Sequence, residues 1–134
     1  MAEQSTSRSL LRAIVVDDSR AMRSILRRNL EGRGFEVVEA SNGREALDRL
    51  GLMRIPDLAL VDWNMPEMNG IDFIAAVRSD PSYDRMRVVM VTTETETEQV
   101  RRALSAGANE YVMKPFSSEI LSDKLALLGF EASP

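Results

Sequence analysis

An α/β fold, with a parallel sheet covered by helices on both faces, is predicted by three features of the sequence. Short apolar runs alternate strictly with segments of helical periodicity, making five strand–helix units in 134 residues. The runs are apolar almost throughout, as strands buried on both faces are. Acidic or polar side chains follow several of them directly, at the strand ends where open parallel sheets bind ligands.

Ala13 to Val16 is the first strand and ends at Asp17-Asp18. Ser19 then caps a helix whose apolar positions Met22, Ile25, Leu26 and Leu30 share one face, and Gly32 and Gly34 end it. Glu36 to Ala40 is the second strand; Asn42 followed by Glu45 starts a helix with Ala46, Leu47 and Leu50 inward. Leu58 to Val61 runs straight into Asp62, and Met65 to Gly70 has the composition of a turn. Ile71, Phe73, Ile74 and Val77 mark the third helix. Arg87 to Val91 is the fourth strand, ending at Thr92. Thr95 with Glu98 fits a capping box ahead of the helix carrying Val100, Ala103 and Leu104, so the Thr-Glu alternation is a loop entering a helix. Glu110 to Met113 is the fifth strand, ending at Lys114-Pro115. Ser117 opens the last helix, with Ile120, Leu121, Leu125 and Leu128 expected inward.

Composition narrows the chemistry. The chain has no Cys and no His, which removes thiolate catalysis, disulfides, imidazole bases and imidazole or thiolate metal ligands. A metal here has to sit on oxygen, which favours Mg²⁺, Ca²⁺ or Mn²⁺. A net charge of −4 without a basic tail argues against DNA or RNA as a partner. No apolar stretch approaches the ~20 residues of a membrane-spanning helix, and Met1 to Ser9 lacks a signal-peptide core, so a cytoplasmic location without membrane insertion is the expectation. Only six residues follow Leu128 (134 − 128), too few for an attached effector; output made in trans is expected. Arg20, Arg23, Arg27 and Arg28 make the outer side of the first helix basic, either a solvated face or a docking face. Trp63, the single Trp, reads as a half-buried packing residue.

Asp17, Asp18, Asp62, Thr92 and Lys114 all fall at strand ends and should converge on one crevice. Two carboxylates ~5 Å apart at an effective dielectric of ~20 repel by about 3 kcal/mol. A divalent cation together with the Lys114 ammonium cancels three negative charges and leaves room for a phosphoryl group. Positioning and charge neutralisation are most of what phosphoryl transfer requires.

The runs Val15-Val16-Asp17-Asp18-Ser19, Asp62-Trp63-Asn64-Met65-Pro66-Glu67-Met68-Asn69-Gly70, Met90-Val91-Thr92-Thr93-Glu94 and Tyr111-Val112-Met113-Lys114-Pro115-Phe116 resemble the response-regulator receiver family, of the CheY-like stand-alone type. The resemblance extends from about Arg12 to Leu128 and implies a receiver domain over 10–128, with short tails at 1–9 and 129–134 and no output domain. It also implies a flavodoxin-like doubly wound fold with strand order 2-1-3-4-5. By this resemblance Asp62 is the phosphoacceptor. Asp17, Asp18, Asp62 and the main-chain carbonyl of Asn64 bind Mg²⁺, with Mn²⁺ or Ca²⁺ able to substitute. Lys114 pairs with Asp62 or the phosphoryl group, Thr92 bonds a phosphoryl oxygen, Tyr111 is the switch aromatic, and Lys114-Pro115 is cis. The implied donor is a histidine kinase or a histidine phosphotransfer protein. The implied reader is a protein target on the face made by the fourth helix, fifth strand and fifth helix, in a chemotaxis-like, relay or stress role.

Two positions depart from the nearest pattern: Ser19 stands where the chemotaxis-type receiver it resembles has an aromatic residue, and Thr93 is bulkier than the usual Ala or Gly. Three other readings remain at this stage. An aspartate-nucleophile phosphatase needs Asp-x-Asp after its first strand, whereas here Asp17 and Asp18 are adjacent. A flavin module needs a phosphate loop there, and two carboxylates would repel it. The third is a phosphorylation-independent adaptor on the same scaffold, against which the complete set of reacting residues argues.

Overall fold

Successive side chains of a strand point to opposite faces, and in this chain alternate strand residues enter two separate cores. The computed structural model describes residues 11–130. Strands β1 (Leu11–Val16), β2 (Phe35–Ala40), β3 (Leu58–Val61), β4 (Arg87–Thr92) and β5 (Glu110–Met113) form one parallel sheet in the order β2-β1-β3-β4-β5. Between and after them run α1 (Arg20–Glu31), α2 (Gly43–Leu50), α3 (Gly70–Arg78), α4 (Thr97–Ala106) and α5 (Ser118–Leu127). The flavodoxin-like topology and strand order expected from the sequence are both present.

Ala13, Val15, Leu58, Leu60, Val89, Val91 and Val112 point to one face, where Leu26 and Leu30 of α1 and Leu121 and Leu125 of α5 cover them. Ile14, Val16, Ala59, Val61, Val88, Met90 and Tyr111 point to the other, under Ala46 and Leu50 of α2, Phe73, Ile74 and Val77 of α3, and Ala103 of α4. Burying each Leu, Ile, Val or Phe contributes roughly 1.5–3 kcal/mol. A one-residue slip of any strand would exchange its two side-chain sets, so this two-sided core also sets the register.

Helix starts follow local chemistry. Ser19, Asn42, Asn69 and Ser117 each accept a hydrogen bond from a first-turn N–H of α1, α2, α3 and α5 respectively. Helix α4 differs from expectation: its cap is Glu96, whose N–H donates to Gln99 Oε1 at 3.4 Å, and not the Thr95–Glu98 pair. The two pairs have the same spacing in sequence, one residue apart. Ile25, Leu104 and Ile120, expected inward, are exposed at 42%, 46% and 48%. Each stands at the border of its helix's apolar stripe, where periodicity alone does not say how far the sheet reaches.

Some of the fold carries no periodic signal. Pro81–Tyr83 forms a 3₁₀ turn capped by Asp80. Phe130, two residues past the expected boundary at 128, packs edge-on against Phe35 with ring centroids 5.5 Å apart. The expected tail 1–9, Leu10, and positions 131–134 of the second tail lie outside the described residues. Among the described residues, no helix is long and apolar enough to cross a membrane.

Arg78 at the end of α3 donates to the main-chain carbonyls of Gly107 (3.0 Å), Tyr83 (2.8 Å) and Met86 (2.8 Å), and to Asn109 Oδ1 (3.0 Å). Burial lowers its pKa, because the guanidinium sits among carbonyls and is half-removed from water. Gly107, at φ 123°, lets the chain pass close by; a Cβ there would lie 2.4 Å from Arg78 Cγ. Arg78→Met, which keeps the stem and removes the donors, is expected to lower unfolding free energy by about 2–4 kcal/mol in urea titrations. A loss below about 0.5 kcal/mol would mean that water replaces the guanidinium at little expense.

Candidate functional site at the carboxyl end of the sheet

Main-chain pairing carries on past the strand ends and positions the strand-end residues. Asp17 N–H donates to Ala40 O at 3.0 Å, Asp62 N–H to Val16 O at 2.8 Å, and Lys114 N–H to Thr92 O at 2.9 Å. Asp17 and Asp62 therefore leave adjacent strands side by side, and Lys114 enters from the sheet's far edge. Carboxylate oxygens of Asp17, Asp18 and Asp62 all lie within 4.8 Å of one another. Asp17 and Asp62 are buried; Asp18 is exposed.

The Lys114 ammonium is the positive charge of this cluster. Its Nζ is 2.8 Å from Asp17 Oδ2 and 3.4 Å from Asp62 Oδ2, with only 11% of the side chain exposed. Expected to pair with Asp62, Lys114 bridges both acids and lies closer to Asp17. The remaining carboxylate oxygens are also held: Asp17 Oδ1 accepts from Ser19 N–H at 2.8 Å, and Asp62 Oδ1 from Trp63 N–H at 2.7 Å. The Lys114-Pro115 peptide is cis, as the sequence resemblance implied.

The other expected residues gather around this group. Thr92 is fully buried and its Oγ1 accepts from Glu94 N–H at 3.4 Å. Asn64 lies two residues beyond Asp62, with its side-chain amide donating to Glu94 Oε2 at 2.7 Å. Tyr111 is buried, with its hydroxyl donating to Glu94 O at 2.7 Å. Trp63 is more deeply placed than the half-buried position expected of it, at 7% exposure.

Three contributors were not legible as site residues. Glu94 joins the loop after β3 to the loop after β4 through Asn64, and receives Tyr111. Arg23 donates to the main-chain carbonyl of Asp17 at 2.7 Å, and is itself held by Glu39 at 2.9 Å, which also pairs with Arg27 at 2.8 Å. Two of the four arginines on α1 are thus tied down over β2, leaving Arg20 and Arg28 on the exposed side. Gly70 permits close approach of backbone: a Cβ there would lie 2.2 Å from the main-chain oxygen of Asp62. Glu94 and Gly70 stand inside the runs that carry the family resemblance and Arg23 on the basic side of the first helix, but nothing in those patterns gave them these contacts.

A parallel sheet with three carboxylates and one ammonium at its carboxyl edge defines an oxygen-donor site built around an aspartate after the third strand. The Response regulator receiver domain family matches residues 13–126, and the chain belongs to that family. It is CheY-like: it is 41% identical to chemotaxis protein CheY1 of Helicobacter pylori, over 88% of this chain and 96% of that protein. The chemotaxis protein CheY of Pseudomonas aeruginosa is 40% identical, over 86% of this chain and 93% of the relative. The crystal structure of Vibrio cholerae chemotaxis protein CheY4 superposes with a TM-score of 0.83 at 35% identity, covering 90% of this chain and 99% of the other. A receiver's chemistry is limited to its own phosphorylation and dephosphorylation, and its phosphoryl source is a histidine kinase. The phosphatase and flavin-module readings end here.

Burial, helped by the negative charges of Glu94 and Asp62, pushes the Tyr111 phenol up to about 12. The folded state therefore keeps this proton through a range where the unfolded chain loses it. Stability from this group is full below the unfolded value near 10 and declines as pH rises toward about 12. Ultraviolet titration should show one of the two tyrosines ionising late, and Tyr111→Phe should flatten the loss of stability over that window.

Proposed function

We propose that this chain is a phosphorylation-driven switch in which Asp62 accepts a phosphoryl group from a histidine kinase or histidine phosphotransfer protein. The observation that carries the reading is the convergence of Asp17, Asp18 and Asp62 within 4.8 Å of one another, with the Lys114 ammonium paired to Asp17 and Asp62. Lys114 alone leaves two of three negative charges uncancelled, and every donor of the cluster is a hard oxygen. That suits Mg²⁺, with Mn²⁺ or Ca²⁺ as substitutes. Asp17, Asp18, Asp62 and the Asn64 main-chain carbonyl would hold the ion, which when bound offsets the charge of the phosphoryl oxygens.

In the transfer, an Asp62 carboxylate oxygen attacks phosphorus in line. The new O–P bond makes an acyl phosphate as the P–N bond to the donor imidazole breaks, and that nitrogen keeps the electron pair. The 134 residues contain no His, so the donor imidazole lies outside them. Lys114, already 3.4 Å from Asp62 Oδ2, turns to the phosphoryl oxygens, and the Thr92 hydroxyl bonds one of them. The fully buried Thr92 and the inward Tyr111 then share one arrangement, which phosphorylation favours over one with the ring turned out.

The reader of this change is a protein docking on the face of α4, β5 and α5. Leu104, Met113 and Ile120, one on each of these elements, are exposed at 46%, 43% and 48%. Large apolar side chains on neighbouring elements suit a protein partner better than water. The identity to chemotaxis proteins supports a chemotaxis-type role in the cytoplasm over a relay or stress role, and the net charge of −4 supports no DNA contact.

Incubation with Mg²⁺ and acetyl phosphate should give one phosphoryl adduct by intact mass, labile to hydroxylamine and absent in EDTA. The adduct should vanish in Asp62→Asn. Its persistence in that variant sinks the acceptor assignment, and capture of the same partner with or without phosphorylation would favour a phosphorylation-independent adaptor.

A further inference from the structure

We propose that Arg102 is a positioning residue that ties α4 to the phosphorylation site by holding the Trp63 ring; the inference rests on Asp62 being the acceptor. The Arg102 guanidinium carbon lies 5.4 Å from the centroid of the Trp63 ring. That is inside the ~6 Å over which a cation is drawn to an indole face. Arg102 makes no ion pair among the described residues, whereas its neighbour Arg101 pairs with Glu98 at 3.1 Å. The ring is therefore the partner on hand for this guanidinium.

Trp63 is well placed to pass on what it receives. Its N–H donates to Asp62 Oδ1 at 2.7 Å, and its carbonyl accepts from Gly70 N–H at 2.9 Å. Both main-chain groups are committed, one of them to the acceptor carboxylate itself. A shift of the indole therefore moves the backbone that orients Asp62.

Helix α4 is the element most in need of such a tie. It buries only Ala103, whereas α3 buries Gly70, Phe73, Ile74 and Val77. Val100 and Ala106 add only partly buried packing, so specific contacts weigh more in the position of α4 than in that of α3. Tyr111 holds the loop ahead of the helix through Glu94 O, and Arg102 holds the helix midway along, on Trp63. The two ties meet the site from different sides, β5 and the loop after β3. The docked position of α4 and the charged state of Asp62 therefore favour each other, and removing Arg102 weakens that coupling without touching a reacting group.

A cation–π contact at an exposed site shifts a two-state balance by about two- to fivefold. The test uses the single indole of the protein as its own probe. Arg102→Ala should move the one indole N–H resonance in the metal-free protein, with melting temperature nearly unchanged because Arg102 is exposed. Titration with beryllofluoride and Mg²⁺ should show affinity reduced about two- to fivefold. Arg102→Lys should recover part of it, and Arg101→Ala, an equal change of charge on the same helix, should behave as wild type. An unmoved indole resonance, or an equal loss in Arg101→Ala, overturns the proposal. Beryllofluoride that fails to bind the wild type, or binds Asp62→Ala as well, overturns the Asp62 reading and this inference with it.

Discussion

The Lys114 ammonium between Asp17 and Asp62 is the interaction on which the rest of the site depends. Two buried carboxylates from adjacent strands repel each other strongly once water is excluded. A single buried ammonium reaches both, at 2.8 and 3.4 Å. Main-chain donors from Ser19 and Trp63 take the other oxygens, so the arrangement holds its shape before any ligand arrives. Asp18, exposed at the rim, adds negative charge without adding burial. The result is a compact, under-neutralised anionic cluster, which is what an oxygen-seeking divalent cation needs.

That cluster exists because a parallel sheet places the exits of its strands along one edge. β1 and β3 are neighbours although β2 lies between them in sequence, and this crossover puts Asp17 beside Asp62. β4 and β5 extend the same edge and bring Thr92 and Lys114 to it. The two-sided core then guards the register. A slip in β3 would move Asp62 off the edge and at the same time turn Leu58 and Leu60 out of their core.

Charge at the sheet edge reaches the surface through loops that have few contacts of their own. Glu94 is the junction: its side chain receives Asn64 from beside Asp62, and its carbonyl receives the Tyr111 hydroxyl. The helix that follows is lightly packed, with Leu104 in water. In the proposed switch, a light attachment lets a local change of charge alter the helix position by population shift, since a deeply packed helix would absorb it.

By itself the sequence determined the five strand–helix units, most helix caps, and which acidic and polar residues stand at the strand ends, because periodicity, capping chemistry and strand-end position are local properties. It also placed the chain in the receiver family through four short runs. Tertiary structure alone decided which of two equivalent spacings caps α4, and that Ile25, Leu104 and Ile120 face solvent. It decided that Lys114 lies nearer Asp17 than Asp62, that Glu94, Arg23 and Gly70 lie against the site, and that Arg102 lies over Trp63. Each of these turns on distances between residues far apart in the chain, and a linear pattern carries no information about such distances until the sheet has brought the ends of its strands together.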